Sequence, residues 1–176
     1  MKISVFLLTK LFYLIQLYKN TFDMRIFMKD YIIRETEDFL SLSTLFNESG
    51  MGVKIEERMP DRIIKMWRMD DARTGKLIAA VTFEIRDGAY SLGDIAVRSG
   101  VQSKGYGKIM QSVVFEEARK LGVKEIWACA KEPEYYIHCG WKKMNWEDSP
   151  NIAVYCSSCS KRGTTCHPEL MKYSLE

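Results

Sequence analysis

The most informative part of this sequence is residues 92–122, which read LGDIAVRSGVQSKGYGKIMQSVVFEEARKLG. The apolar run at its start is too short for a helix and predicts a strand. A turn containing Gly105 and Gly107 follows. Beyond it, apolar residues recur at steps of three and four, which predicts an amphipathic helix of about five turns. Gly122 stands where a left-handed cap would end that helix. The apolar face is formed by Tyr106, Ile109, Met110, Val113, Val114, Ala118 and Leu121.

The start of this helix has the features of an anion site. A first turn without bulky side chains leaves backbone N–H groups accessible at the positive end of the helix dipole. A pyrophosphate is the ligand that suits such a turn best. Two glycines alone are equally typical of an ordinary tight turn. The complete unit of strand, turn and helix, with Gln102 three residues before Gly105, is more specific and predicts a phosphate-binding turn.

Three segments resemble one known family. Residues 102–107, QSKGYG, resemble the Q/R-x-x-G-x-G/A signature of the GNAT superfamily of acyl-CoA-dependent N-acyltransferases. Residues 94–97, DIAV, are similar to its central strand, and residues 135–141, YYIHCGW, to its F-Y-x-x-x-G-F segment. The resemblance covers roughly residues 28–175. It implies a single α/β (α+β) domain with a mixed, mostly antiparallel sheet flanked by helices, in which a V-shaped splay between the central and fifth strands admits acyl-CoA.

The resemblance implies acetyl-CoA as cosubstrate and assigns its contacts. Backbone groups of the central strand would pair with the pantetheine, and the turn with the first residues of the helix would surround the pyrophosphate. The sequence departs from the family after the fifth strand, where many members have an Asn near the pantetheine and this chain reads CAKEP at residues 129–133. The predicted cofactor-binding residues are Ile95, Ala96, Val97, Gln102, Ser103, Lys104, Gly105, Tyr106, Gly107 and Lys108.

Acyl transfer to an amine needs a base for the ammonium, a donor for the oxyanion and an acid for the leaving thiolate. Tyr136 matches the tyrosine of the family segment and is the predicted general acid; the alternative is a core aromatic whose hydroxyl is hydrogen-bonded. Asp94 is the predicted base, acting directly or through water, and a loop-capping carboxylate is the alternative. Glu84 and Glu132 are further candidates, although each is more typical of surface charge.

These assignments predict an N-acetyltransferase of class EC 2.3.1 that moves an acetyl group from acetyl-CoA to a primary amine by direct attack. The acceptor, a small molecule or a peptide, is not assigned by the sequence. A non-catalytic acyl-CoA-binding or metal-sensing module of the same fold is the alternative function.

The cysteines form a second feature. A C-x-x-C pair followed by Cys-His, within the predicted loop 150–168, supplies four soft ligands and predicts a structural zinc site at Cys156, Cys159, Cys166 and His167. Cys139 is an alternative fourth ligand. Free thiols, or a reversible disulfide between Cys156 and Cys159, are the alternatives to metal. All five cysteines lie in the last fifty residues, which favours a reducing cytoplasm over a secreted disulfide scaffold.

Composition and charge restrict the number of domains and the kind of partner. A chain of 176 residues that is 47% hydrophobic predicts one domain with one good core. The formal net charge is only +3, and acidic and basic residues balance over residues 28–176, so no nucleic-acid partner is expected. A homodimer is left open, with the exposed face of the last hairpin as the contact.

The first 27 residues are apolar and aromatic, but Lys10 and Gln16 interrupt them, so the uninterrupted stretches are too short for a membrane span. We interpret residues 1–27 as a dispensable leader or a mis-assigned start before a domain of residues 28–176. An amphipathic helix packed on the domain and a peripheral membrane contact are the alternatives.

The remaining elements are predicted from periodicity, turn residues and caps. They are a strand over 31–34, a helix from an N-cap at Thr36 to Asn47, a hairpin of strands 62–69 and 76–86, a strand over 89–97 after the turn Asp87-Gly88, a strand over 124–130, a helix over 133–139, and strands over 141–146 and 169–175.

Overall fold

The computed structural model describes residues 30–153, 156 and 159–175. The predictions made for residues 1–27 lie outside these ranges. Within them, no helix is both long and apolar enough to cross a membrane. The elements are β1 (Tyr31–Glu35), α1 (Phe39–Glu48), β2 (Ile63–Asp71), β3 (Leu77–Arg86), β4 (Ala89–Val97), α2 (Tyr106–Lys120), β5 (Glu125–Ala130), α3 (Pro133–His138), β6 (Lys142–Met144) and β7 (Glu169–Ser174).

One seven-stranded sheet organises the chain, in the order β1-β2-β3-β4-β5-β7-β6. Neighbouring strands are antiparallel except β4 and β5, which are parallel. A parallel pair needs a crossover connection, and α2 supplies it. The predicted mixed, mostly antiparallel sheet with flanking helices in a single domain is confirmed.

Helices and a long connection cover the two faces of the sheet. On one face α2 buries Met110, Val114 and Ala118 against the central strands. On the other face α1 packs its own apolar side chains against β2 and β3. The connection between β6 and β7 covers β5, where Ile152 packs with Trp127. Because both faces are covered, nearly all of β3 is buried.

The start of α1 corrects one prediction. The N-cap is Asp38, whose Oδ1 accepts a hydrogen bond of 3.1 Å from the Ser41 N–H. Thr36 lies two residues earlier, and its Oγ1 accepts from the N–H of Asp38 at 3.1 Å. Thr36 therefore supports the cap and is not the cap itself, because the helix begins later than the sequence pattern indicates.

A β-bulge distorts β4 at its centre. Phe83 pairs with Leu92 whereas Val81 pairs with Ile95, so β4 contains one extra residue between these two pairs. Gly93 lies in this bulge, and a Cβ there would collide with the side chains of Thr82 and Glu84. The bulge therefore requires a glycine, and it marks the place where β4 turns away from regular pairing.

Candidate active site

The sheet opens between β4 and β5. The two strands pair only at Ser91 and Trp127, near the start of β4. Farther along, the Arg98 N–H donates to the Ile78 carbonyl at 2.8 Å, on the β3 side. Backbone groups alternate between the two neighbours of an antiparallel strand, so those of Ile95 and Val97 point to the opposite side, toward β5. In the part of the chain that the structure describes, this stretch of β4 has no strand partner on the β5 side.

The turn after β4 leads to the start of α2. Gly105 is the N-cap and has φ 80°, a left-handed conformation, and no side chain caps the helix. The first helical N–H groups therefore lack intrahelical partners. A Cβ at Gly105 would meet no atom of the described residues within 4 Å, so this backbone faces open space. A Cβ at Gly107 would lie 2.5 Å from Tyr135 Oη, so this glycine lets α3 pack closely on α2.

The other residues predicted around the pyrophosphate have different environments. Gln102 Nε2 donates to the Val97 carbonyl at 3.1 Å, which ties the turn to the end of β4. Tyr106 packs its ring edge-on against Tyr31, with centroids 5.7 Å apart. Ser103 has φ 62°, and Ser103, Lys104 and Lys108 are exposed around the turn. Gln102 and Tyr106 thus hold the shape of the turn, while the exposed residues surround its open side.

Asp94 lies in the bulge of β4, beside the opening. Its N–H donates to Thr82 Oγ1 at 2.8 Å. Burial raises the pKa of its carboxyl to about 6, and the negative charge of Glu84 contributes, against the opposing charges of Arg86 and Arg62. Such a carboxylate is more basic than an ordinary aspartate and is still mostly ionised at neutral pH.

Glu84 corrects the prediction that it carries surface charge. Its side chain is 0% exposed and forms ion pairs with Arg62 Nε at 3.0 Å and Arg86 Nε at 2.6 Å. Thr82 Oγ1 donates to its other carboxylate oxygen at 2.8 Å. A buried carboxylate needs such partners, since an unpaired charge in the interior is costly. Glu84 is therefore a fixed charge beneath Asp94, and neither arginine was identified as a site residue from the sequence.

Tyr136 lies in α3, on the side of the sheet covered by α2. It is 6% exposed, and its ring packs edge-on against Trp141 with centroids 5.2 Å apart. Burial raises the pKa of its hydroxyl, and the nearby negative charge of Asp94 raises it further. The phenol therefore keeps its proton at neutral pH, as a proton donor must.

The cysteines give a different arrangement from the one predicted. Among the described residues, no three His, Cys, Asp or Glu side chains form a group that could hold a metal ion. The zinc site predicted at Cys156, Cys159, Cys166 and His167 thus finds no support, because the folded loop does not bring the ligand atoms together. Instead the sulfur atoms of Cys156 and Cys129 lie 3.5 Å apart.

The pKa values of these two thiols shift in opposite directions. The hydrogen bond between the two sulfurs lowers the pKa of the Cys156 thiol to about 6, and the charges of Arg162 and Arg86 lower it further. The same hydrogen bond, together with burial, raises the pKa of Cys129. Of the two thiols, Cys156 therefore loses its proton more readily, and Cys129 keeps its proton to higher pH.

The comparisons agree with this architecture. The model of the acetyltransferase (GNAT) family matches residues 26–140, which is more than half of the chain. The chain therefore belongs to the GNAT acetyltransferase family. No curated protein matches it.

Solved structures resemble the chain at low identity. N-acetylglutamate synthase from Neisseria gonorrhoeae, complexed with coenzyme A and N-acetyl-glutamate, has a TM-score of 0.64 at 16% identity over 83% of this chain and 35% of its own. Nourseothricin acetyltransferase has a TM-score of 0.60 at 16% identity, over 84% of this chain and 100% of its own. The ribosomal-protein-S18-alanine N-acetyltransferase from Escherichia coli has a TM-score of 0.57 at 16% identity, over 83% and 94%. At these identities the likeness establishes the fold.

Proposed function

We propose that the chain is an N-acetyltransferase of class EC 2.3.1 that moves an acetyl group from acetyl-CoA to a primary amine by direct attack. The observation that supports this most strongly is the unpaired edge of β4 at Ile95, which lies between the bare start of α2 and Asp94. Such an edge offers amide partners to an extended chain, and a bare helix start offers N–H groups to a pyrophosphate. Acetyl-CoA contains both an extended pantetheine chain with amide groups and a pyrophosphate.

The residues present fit this cosubstrate. Backbone groups of Ile95 and Val97 would bind the pantetheine, although the Val97 carbonyl already accepts from Gln102. The N–H groups at the start of α2, after Gly105, would bind the pyrophosphate. Acetyl-CoA supplies the activated acetyl thioester when bound.

Two side chains would handle the protons. Asp94, with its raised pKa, would take a proton from the acceptor ammonium, directly or through a water molecule. Tyr136, neutral and buried, would donate its proton to the departing sulfur. The Asp94 N–H donates to Thr82 Oγ1, which in turn donates to Glu84, so these hydrogen bonds would hold the backbone of Asp94 in place.

Binding is tested first, by calorimetric titration of acetyl-CoA into the full chain. Gly105→Val should abolish binding, because a side chain there covers the exposed N–H groups and strains a left-handed backbone. Gly75→Val is the matched control: Gly75 has φ 69°, and a Cβ there would meet no described atom within 4 Å, but it lies in the turn between β2 and β3. Equal binding by both variants would contradict the assignment of the phosphate-binding turn at the start of α2.

Turnover is tested by the release of free coenzyme A thiol with a panel of amines. The panel includes an amino acid, an aminoglycoside-like antibiotic, a polyamine and a peptide with a free N-terminus. Tyr136→Phe should lower kcat by roughly 100- to 10,000-fold with acetyl-CoA binding retained. Tyr173→Phe is the control, because Tyr173 lies in the same aromatic cluster, stacked on Phe115 at 4.3 Å. A folded chain that binds acetyl-CoA and acetylates no amine would instead be a binding module.

A further inference from the structure

Two thiols from distant parts of the sequence meet on the face of the sheet opposite α2. Cys129 lies in β5, and Cys156 lies in the connection between β6 and β7. Their sulfur atoms are 3.5 Å apart, and neither side chain is fully buried. Both cysteines are free thiols in this structure. A disulfide between them needs the sulfurs to approach by about 1.5 Å, since the bond is about 2 Å long.

The pairing differs from the one that the C-x-x-C spacing indicates. Cys159 is exposed, and its backbone N–H donates to the Cys156 carbonyl at 3.3 Å. The side chain of Cys156 meets Cys129, which is 27 positions earlier in the chain. The sulfur that contacts Cys156 therefore belongs to a strand of the sheet.

We propose that Cys129 and Cys156 are a thiol modification site, at which a hydroperoxide forms a reversible disulfide between β5 and the connection from β6 to β7.

The reaction balances with the peroxide as the named oxidant. One sulfur, as its thiolate, attacks a peroxide oxygen, the O–O bond breaks, and the leaving hydroxide takes a proton to become water. The resulting sulfenic acid is attacked by the second sulfur; the S–O bond breaks, and hydroxide leaves with the proton of the second thiol as another water. Two thiols are oxidised to one disulfide and one hydrogen peroxide is reduced to two waters. A dithiol reductant reverses the change.

The link would join two parts that already contact each other. Ile152, in the same connection, packs with Trp127 of β5 in a small core. Its carbonyl also accepts a hydrogen bond of 3.1 Å from Arg86 Nη1 on β3. Because these contacts already hold the connection close to the sheet, little backbone movement is needed for the disulfide. Oxidation should therefore raise the midpoint of thermal unfolding.

The experiment maps the disulfide in the unmodified full chain. The reduced protein is treated with hydrogen peroxide in small excess, the remaining thiols are alkylated, and tryptic peptides are identified by mass spectrometry. We expect a linked pair formed by residues 125–131 and 144–161, which contain Cys129 and Cys156, and its loss after dithiothreitol. This measurement needs no substitution.

Variants then identify the sulfurs. Residues 144–161 also contain Cys159, so Cys159→Ser is the decisive control and should keep the linked pair. Cys156→Ser and Cys129→Ala should each lose it, with circular dichroism confirming that they fold. Cys166→Ser should also keep the pair, although Cys166 lies near enough to act on the charge of Cys129.

Three results would overturn the proposal. The first is a bond within residues 144–161, between Cys156 and Cys159. The second is full alkylation of Cys129 and Cys156 after peroxide treatment. The third is stoichiometric zinc in the purified chain with thiols that resist peroxide until a chelator removes the metal.

Discussion

Asp94→Asn tests the electrostatics of the site, because it removes a half-buried negative charge and keeps the shape of the side chain. The pKa of Asp94 is about 6 in the folded protein, against an ordinary value of 3.8 for an aspartate. This difference corresponds to about 3 kcal/mol, since one pKa unit equals about 1.4 kcal/mol. That figure is an upper bound for the cost of ionising Asp94 in the folded state.

The direction in which the free energy of unfolding changes with pH follows from proton binding. Between the two pKa values the folded state holds the Asp94 proton and the unfolded state has released it, so a rise in pH favours unfolding. The wild-type protein therefore loses up to about 3 kcal/mol from this group as the pH rises from about 4 to above 6. The asparagine variant does not titrate. The free energy of unfolding of the variant should therefore rise relative to that of the wild type by up to about 3 kcal/mol as the pH rises over the same range.

The assay is urea unfolding of both proteins between about pH 4.5 and about pH 7.5. Asp61→Asn is the control for net charge, because the Asp61 side chain is 89% exposed. The same Asp94 variant should acetylate amines more slowly, which separates its catalytic cost from its stability gain. A variant that loses stability relative to the wild type as the pH rises would refute the reasoning, because Asp94 would then be stabilised as an anion.

Three further substitutions extend the test. Glu84→Gln removes a negative charge that raises the pKa of Asp94, so the acidic limb of the kcat/KM profile should move to lower pH; an unmoved limb would show that Glu84 does not act on the base. Asp38→Ala removes the N-cap of α1 and should cost about 1 kcal/mol in urea unfolding, and no loss would contradict the cap assignment. Phe46→Ala removes a side chain that is 0% exposed and should lower the free energy of unfolding by about 3–5 kcal/mol. A much smaller loss would contradict the packing of α1 on the sheet.

The elements around the site were largely predictable, because local chemistry determines them. The turn Asp87-Gly88 has φ values of 48° and 74°, as a two-residue hairpin requires, and Gly122 has φ 73° after α2. β4 matches its predicted bounds, and β3 begins one residue later than predicted. Periodicity and glycines act over a few residues, so they can be identified without knowing the fold.

Errors arose where two local choices were nearly equal. Both Thr36 and Asp38 can cap a helix, and the choice depends on where the chain leaves β1 to pack on the sheet. The cysteines show a related limit: the C-x-x-C spacing groups Cys156 with Cys159, yet the sulfur of Cys129, from β5, lies 3.5 Å from that of Cys156. Spacing along the chain does not determine which strand lies beneath a loop.

The residues alone determined the order of elements, the strand-turn-helix unit at residues 92–122 and the family to which the chain belongs. Tertiary structure decided that β7 lies between β5 and β6 and that Glu84 is buried between Arg62 and Arg86 beneath Asp94. It also placed Cys129 beside Cys156. The physical reason is the same in each case: backbone conformation responds to near neighbours in sequence, whereas burial, pKa and thiol pairing depend on atoms that only the folded chain brings together.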